Sequence, residues 1–236
     1  MNVVFRTDLP HGRCVGVRIP RGTEVAVPLA HMTDALVPEE RAFLESLSPI
    51  RKPSWLAGRL ALRAALADLG IDHGPILSTQ NGGPDLPGEV TGSISHKHTL
   101  AVGLAARAQG GIRVGVDIEP LPGPTATHAA RNWDNHPDIS SRVMTPEELS
   151  SLAAVPETHR RRTVILHFSA KESLYKALNP FLGRYVSFQE VSLHAHLEGK
   201  IDVSLALKDK EGPFLVEARW TEIADHLLTT AIVRPL

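Results

Sequence analysis

The sequence predicts an α+β protein of two similar halves, each a long helix packed on a small, mainly antiparallel sheet. Three observations predict it. A long amphipathic segment covers residues 51–70 and a second covers 168–178, and strand-like runs follow each. The halves close on related apolar segments, His98-Thr99-Leu100-Ala101-Val102-Gly103-Leu104-Ala105 and His226-Leu227-Leu228-Thr229-Thr230-Ala231-Ile232-Val233. The Ala-, Gly- and Gln-rich stretch 107–113 reads as a joint, giving an N-terminal half 1–106 and a C-terminal half 107–236. Two such halves packed face to face would enclose one cleft.

Composition narrows the function classes. With 236 residues, 42% hydrophobic and 22% charged, the chain is globular and can bury a substantial core. A formal net charge of −1 supplies no global field toward nucleic acid or membranes, so an anion site must come from local clusters. The single cysteine, Cys14, excludes an internal disulfide and any Cys-based zinc site. The first twenty residues lack the apolar run of a signal peptide, and no stretch is long and apolar enough to span a bilayer. A cytoplasmic protein without nucleic-acid or membrane partners is the expectation.

In order along the chain, strands are expected at 14–19 and 24–27, between the turn-formers Pro10-His11-Gly12 and Pro20-Arg21-Gly22. Pro38-Glu39-Glu40 opens a short helix reaching about Leu47, its acids well placed at the start. The 51–70 helix has Ser54 as candidate N-cap and Gly70 as stop, with Leu62, Ala65, Leu66 and Leu69 on one apolar side. Arg59 and Arg63 lie one turn apart and Arg51 near the start; these guanidinium groups suit a phosphate, or else simply keep the helix soluble. After a loop at 81–88, Ser95, His96 and Lys97 bring donors to one turn, fit either for a pyrophosphate or for an ordinary hairpin. A strand follows at 99–105. None of the histidine spacings reads as a metal box.

The second half opens on a strand carrying Asp117-Ile118-Glu119, then a Pro- and Gly-rich loop at 120–124 and a polar, irregular stretch at 125–141, a candidate mobile or partner-facing segment. Thr145-Pro146-Glu147-Glu148 starts a helix, with an N-cap, proline at the first helical position and early acids. Arg160-Arg161-Arg162 forms a solvated face or docks an acidic partner. Strands are expected at 191–197, 201–207, 214–220 and 228–233, antiparallel, with a hairpin turn at 208–212.

The central stretch is Phe168-Ser169-Ala170-Lys171-Glu172-Ser173-Leu174-Tyr175-Lys176-Ala177-Leu178. On a helix, Leu166, Ala170, Leu174, Ala177 and Leu178 share one stripe, and Ser169, Glu172 and Lys176 the opposite face, with Lys171 and Tyr175 on a flank. Two plain readings compete with a functional one. Glu172 and Lys176 could form a surface pair worth about 0.2–0.5 kcal/mol, or Ser169 and Glu172 could form a capping box. Asp117 and Glu119 shift the balance. In a strand they project from one side and repel, which suggests a cation between them, the alternative being a pair at a strand end facing water. Oxygen-only ligation without cysteine fits Mg²⁺.

Taken together, Gly58-Arg59…Arg63, Gly92-Ser93-Ile94-Ser95-His96, Gly115-Val116-Asp117-Ile118-Glu119 and Phe168-Ser169-Ala170-Lys171-Glu172…Tyr175-Lys176 resemble the 4′-phosphopantetheinyl transferases. The match is to the two-domain type associated with siderophore, polyketide and nonribosomal peptide synthetases, and it covers roughly residues 51–180. The resemblance implies two pseudo-twofold-related α+β halves, with coenzyme A in the cleft between them and an apo acyl or peptidyl carrier protein as acceptor. It implies that Asp117, Glu119 and Glu172 hold Mg²⁺ and that Ser95 and His96 contact phosphates. Arg59, with Arg51 and Arg63, would bind the 3′-phosphate or adenine end, and Lys171 and Lys176 would line the phosphate and pantetheine side. Lys176 and His96 would stabilise the departing 3′,5′-ADP, and Glu172, or a metal-bound water that it holds, would be the base. Gly83-Pro84 stands where many relatives carry Lys-Pro, a phosphate contact for which Lys97 or Arg13 would have to substitute. Two fused halves make a monomer the expectation. The rival readings are a non-catalytic coenzyme A or nucleotide-binding module and a structural interaction protein.

Overall fold

The computed structural model describes residues 2–20, 32–121 and 138–236. The chain forms two compact units, Met1–Val116 and Asp117–Leu236. The expected strand at 24–27, and all but the ends of the 120–141 segment, lie outside the described residues. Among the described residues, no helix is long and apolar enough to cross a membrane.

The first unit contains β1 (Val3–Leu9), β2 (Gly12–Arg18), α1 (Pro38–Ser46), α2 (Lys52–Asp68), β3 (Val90–Lys97) and β4 (Leu100–Arg107). Its sheet has the order β1-β2-β4-β3, antiparallel throughout. α2 lies on this sheet as its sequence dictates. Leu62, Ala65 and Leu66 are fully buried, and they join Val15, Val17, Ala101 and Ala105 in one core. The close approach depends on Gly103 of β4, where a Cβ would sit 2.2 Å from the Leu62 nitrogen. Ser54 is not the cap: α2 already begins at Lys52, and the Ser54 hydroxyl donates to the Arg51 carbonyl at 3.2 Å. Gly70 ends the helix as expected, at φ +63°. The edge strand β1 had no sequence forecast, because Arg6 and Asp8 are exposed on it and its alternation is shallow.

The second unit adds α3 (Ser140–Val143), α4 (Pro146–Ala153), α5 (Glu157–Leu182), β6 (Val191–Ala195), β7 (Lys200–Leu205), β8 (Phe214–Ile223) and β9 (His226–Pro235). With β5 (Arg113–Pro120) the sheet order is β5-β9-β8-β7-β6, and the β6–β7, β7–β8 and β8–β9 pairs are antiparallel as expected. α5 runs for 26 residues, and the predicted stripe is its core face. Ala170, Leu174, Ala177 and Leu178 are fully buried against Val191, Ile201, Ala218, Ala231 and Val233. Gly183 closes α5 in the left-handed conformation at φ +62°, its N–H donating to the Asn179 carbonyl at 2.8 Å. The next residue, Arg184, forks onto two carboxylates, Glu190 (Nη2 to Oε2, 2.7 Å) and Glu211 (Nε to Oε1, 2.9 Å).

Two predictions follow from these contacts. Gly103→Ala should drive a methyl group into the α2 backbone and lower stability by about 1–3 kcal/mol, read from urea unfolding. The Arg184 hydrogen bonds are the first cause that lowers the Glu190 pKa from its ordinary 4.5 to about 2. A depressed carboxyl contributes stability above its unfolded pKa and loses it as pH falls through the folded one. Thermal midpoints should therefore drop between about pH 4.5 and pH 2, and Arg184→Gln should flatten that part of the profile.

Candidate active site

β5 supplies the first part of the site. Strand alternation puts Asp117 and Glu119 on the same side, and both are buried, at 5% and 3% exposure. A buried carboxylate needs donors, and α5 provides them. The Lys176 ammonium donates to Asp117 Oδ1 at 2.8 Å, and the Ser169 hydroxyl donates to Asp117 Oδ2 at 2.9 Å. Ser169 and Lys176 belong to the polar face read from the sequence. Glu172, half-buried, lies on that same face, within about 60° of Ser169 around the helix. The capping-box reading fails, because Ser169 is in the interior of α5 and fully buried. On β9, the Thr229 hydroxyl donates to the Ser169 carbonyl at 2.8 Å and lies 2.9 Å from the Ser169 hydroxyl oxygen.

This donor set suits a small, hard cation: it offers carboxylate oxygens only, and an ammonium group is already drawn to Asp117. Among the described residues, no three His, Cys, Asp or Glu side chains are gathered closely enough to form a complete cage by themselves. Beside Glu172, the rings of Tyr175 and Tyr185 pack at 5.4 Å. Partial burial, and then the negative charge of Glu172, raise the Tyr185 pKa.

Lys171 does something other than the sequence reading assigned. Its side chain is 1% exposed and points inward, bonding Glu148 Oε2 (2.7 Å) and the carbonyls of Val143 (2.8 Å) and Phe188 (3.0 Å). A ligand-lining role is corrected on that ground: all three ammonium protons are taken inside the unit. Burial lowers its pKa and Glu148 opposes that shift. Glu148 is saturated as well, accepting from the Thr145 N–H and the Leu193 N–H, each at 2.7 Å.

The first unit brings two similar corrections. Arg59 is 5% exposed and donates to the Ile76 and Leu77 carbonyls (2.8 and 3.3 Å) and to the Ser78 hydroxyl (2.7 Å), with its guanidinium over the Trp55 ring. Burial, its main perturbation, lowers its pKa to about 10. Arg63 reaches both oxygens of the buried Glu40, at 2.6 and 2.7 Å. Both arginines bind the fold. Arg51, by contrast, is exposed at the start of α2. Ser95 and His96 lie within β3, not in a turn, so alternation sends them to opposite faces, Ser95 buried and His96 exposed. The face that holds Ser95 also carries Thr91 and Ser93, whose hydroxyls accept from the N–H groups of Val114 and Val116 at 3.1 Å. Arg13, a proposed substitute for the missing lysine at Gly83, is engaged with Asp68 at 2.8 Å.

Sequence reasoning missed Thr229 and Glu148. A threonine inside the apolar run Leu227-Leu228-Thr229-Thr230-Ala231 was the available sign of a buried hydroxyl. For Glu148 the sign was a repeated tripeptide, Pro38-Glu39-Glu40 and Pro146-Glu147-Glu148.

Comparison with known proteins adds an independent finding. Residues 39–106 match the 4′-phosphopantetheinyl transferase N-terminal domain, and residues 113–231 match the 4′-phosphopantetheinyl transferase superfamily. The chain is 35% identical over 163 residues to the 4′-phosphopantetheinyl transferase Svp of Streptomyces mobaraensis, covering 67% of this chain and 60% of that one. It is 27% identical to the 4′-phosphopantetheinyl transferase Npt of Nocardia iowensis, covering 91% of this chain and 96% of that one. To the 4′-phosphopantetheinyl transferase PptT of Mycobacterium tuberculosis it is also 27% identical, over 84% of this chain and 85% of that one.

Removing one member of the internal pair should be severe. Lys171→Ala leaves the Glu148 carboxylate buried without its cation, and a loss of about 3–5 kcal/mol is expected in chemical denaturation.

Proposed function

The chain belongs to the 4′-phosphopantetheinyl transferase superfamily, and on that premise we propose that it moves the phosphopantetheine arm of coenzyme A onto a serine hydroxyl of an apo acyl or peptidyl carrier protein. The serine oxygen forms a bond to the phosphorus that bears the pantetheine. The bond from that phosphorus to the oxygen bridging the diphosphate breaks, 3′,5′-ADP leaves, and the serine proton passes to a base. Such a transfer asks little covalent chemistry of the protein; it asks for alignment and charge neutralisation.

The observation that carries this reading is the Asp117 carboxylate, bonded at one oxygen by Lys176 and at the other by Ser169, both on the face of α5 that bears Glu172. Asp117, Glu119 and Glu172 are the residues we assign to Mg²⁺, with waters and substrate oxygens completing its shell. When bound, Mg²⁺ neutralises charge on the diphosphate. Lys176, 24% exposed at the side chain, keeps a flexible ammonium beside that position and offsets charge on the leaving phosphate. Glu172 accepts the serine proton. We assign the exposed His96 and Arg51 and the buried Ser95 to the phosphates and the nucleotide end on the family resemblance. We assign the protein to the cytoplasm as a monomer.

Incubation with coenzyme A, Mg²⁺ and an apo carrier protein tests the proposal by mass spectrometry. A carrier heavier by one phosphopantetheine arm is expected. Coenzyme A binding without that gain would mean a non-catalytic module, and neither result a structural protein. Asp117→Ala should reduce transfer at least about 100-fold while circular dichroism stays that of the folded chain. Glu172→Gln should slow turnover by about 10²–10⁴-fold; near-normal turnover would remove Glu172 as the base.

A further inference from the structure

Ser169 and Thr229 are both fully buried, on α5 and β9, next to the equally buried apolar residues Ala170 and Leu228. Hydroxyl groups in such surroundings are costly unless they are bonded. The proton accounting gives their bonds a direction. An ionised carboxylate only accepts, so the single Ser169 proton goes to Asp117 Oδ2, 2.9 Å away. With that proton committed, the short contact between the two hydroxyl oxygens, 2.9 Å, needs the Thr229 proton. That proton points at Ser169, shared between its hydroxyl oxygen and its carbonyl at 2.8 Å. The order is Thr229 to Ser169 to Asp117.

We infer that Ser169 and Thr229 are positioning residues for Asp117: a directed pair of hydroxyls that fixes Oδ2 and so holds the plane of the carboxylate, leaving Oδ1, which accepts from Lys176 through one lone pair, with its second lone pair for the cation. The inference rests on the assignment of Asp117 as a metal ligand. Lys176 cannot serve this purpose, because its ammonium sits on a flexible four-carbon stem and is partly exposed. Ser169 has one rotatable bond between a packed helix backbone and its hydroxyl, and Thr229 restrains even that. A carboxylate held at one oxygen loses the rotational freedom it would otherwise surrender on binding a cation. Partners behind a metal ligand are typically worth about 10–100-fold in affinity.

The test uses the full chain with coenzyme A and Mn²⁺ as the probe, bound metal being measured by electron paramagnetic resonance. Ser169→Ala should weaken Mn²⁺ binding about tenfold. Thr229→Val, which keeps the shape and removes the donor, should weaken it in the same direction by less, and Thr229→Ser should restore it. In the transfer assay the Mg²⁺ concentration for half-maximal rate should rise, with kcat at saturating Mg²⁺ retained. If Ser169→Ala does not fold, Thr229→Val against Thr229→Ser decides. Wild-type Mn²⁺ affinity in these variants, with only a lower unfolding temperature, would overturn the inference and leave the hydroxyls as a cross-link between helix and sheet. If the unsubstituted chain itself bound no Mn²⁺, the metal assignment would fail first and the inference with it.

Discussion

A carboxylate can be buried only if its donors are buried with it, and the second unit is arranged around that constraint. Glu148 is at the third position of α4, where its side chain accepts the N–H of its own cap residue, Thr145. It also accepts the Leu193 N–H of β6 and the Lys171 ammonium of α5. One side chain thus ties a helix start, a strand and the long helix together. Its negative charge is what lets a lysine be 1% exposed at the centre of α5.

The consequence for the site is rotational. The stripe of Ala170, Leu174, Ala177 and Leu178 presses one side of α5 into the core, and Lys171 pins the flank. With two directions fixed, the remaining face has to present Ser169, Glu172 and Lys176, two of which reach Asp117. The chemistry of this face is inherited from packing elsewhere on the same helix. Lys171, adjacent in sequence to Glu172, fixes the orientation of this polar face without belonging to it.

The first unit uses the same device. Glu40 is the third residue of α1, fully buried, and it accepts from the Val37 N–H, from the Ile76 N–H and from the Arg63 guanidinium of α2. In both units a Pro-Glu-Glu helix start supplies a buried acid that captures a cation from the long helix and a backbone N–H from an extended segment. The internal relation between the halves is therefore written more sharply in these tripeptides than in the apolar closing segments. It also explains why Arg63 and Lys171, both attractive as phosphate ligands, are occupied inside the fold.

The sequence by itself determined the α+β class, both long helices, the antiparallel C-terminal strands, the α4 cap and the family. Those features rest on local periodicity, on turn chemistry and on motifs that stand in order along the chain. It also placed Asp117 and Glu119 on one side of a strand, since a period of two leaves no alternative. Only the tertiary structure decided the destination of each charge. Periodicity gives the direction of a side chain around its own element, but not what lies at the end of it. Arg59, Arg63 and Lys171 were sent inward by acceptors distant in sequence, such as Ile76, Glu40 and Glu148, whereas Ser169 and Lys176 were sent to Asp117. A buried ion pair or hydroxyl is a long-range contact, settled by which donor and acceptor meet once the apolar faces have packed.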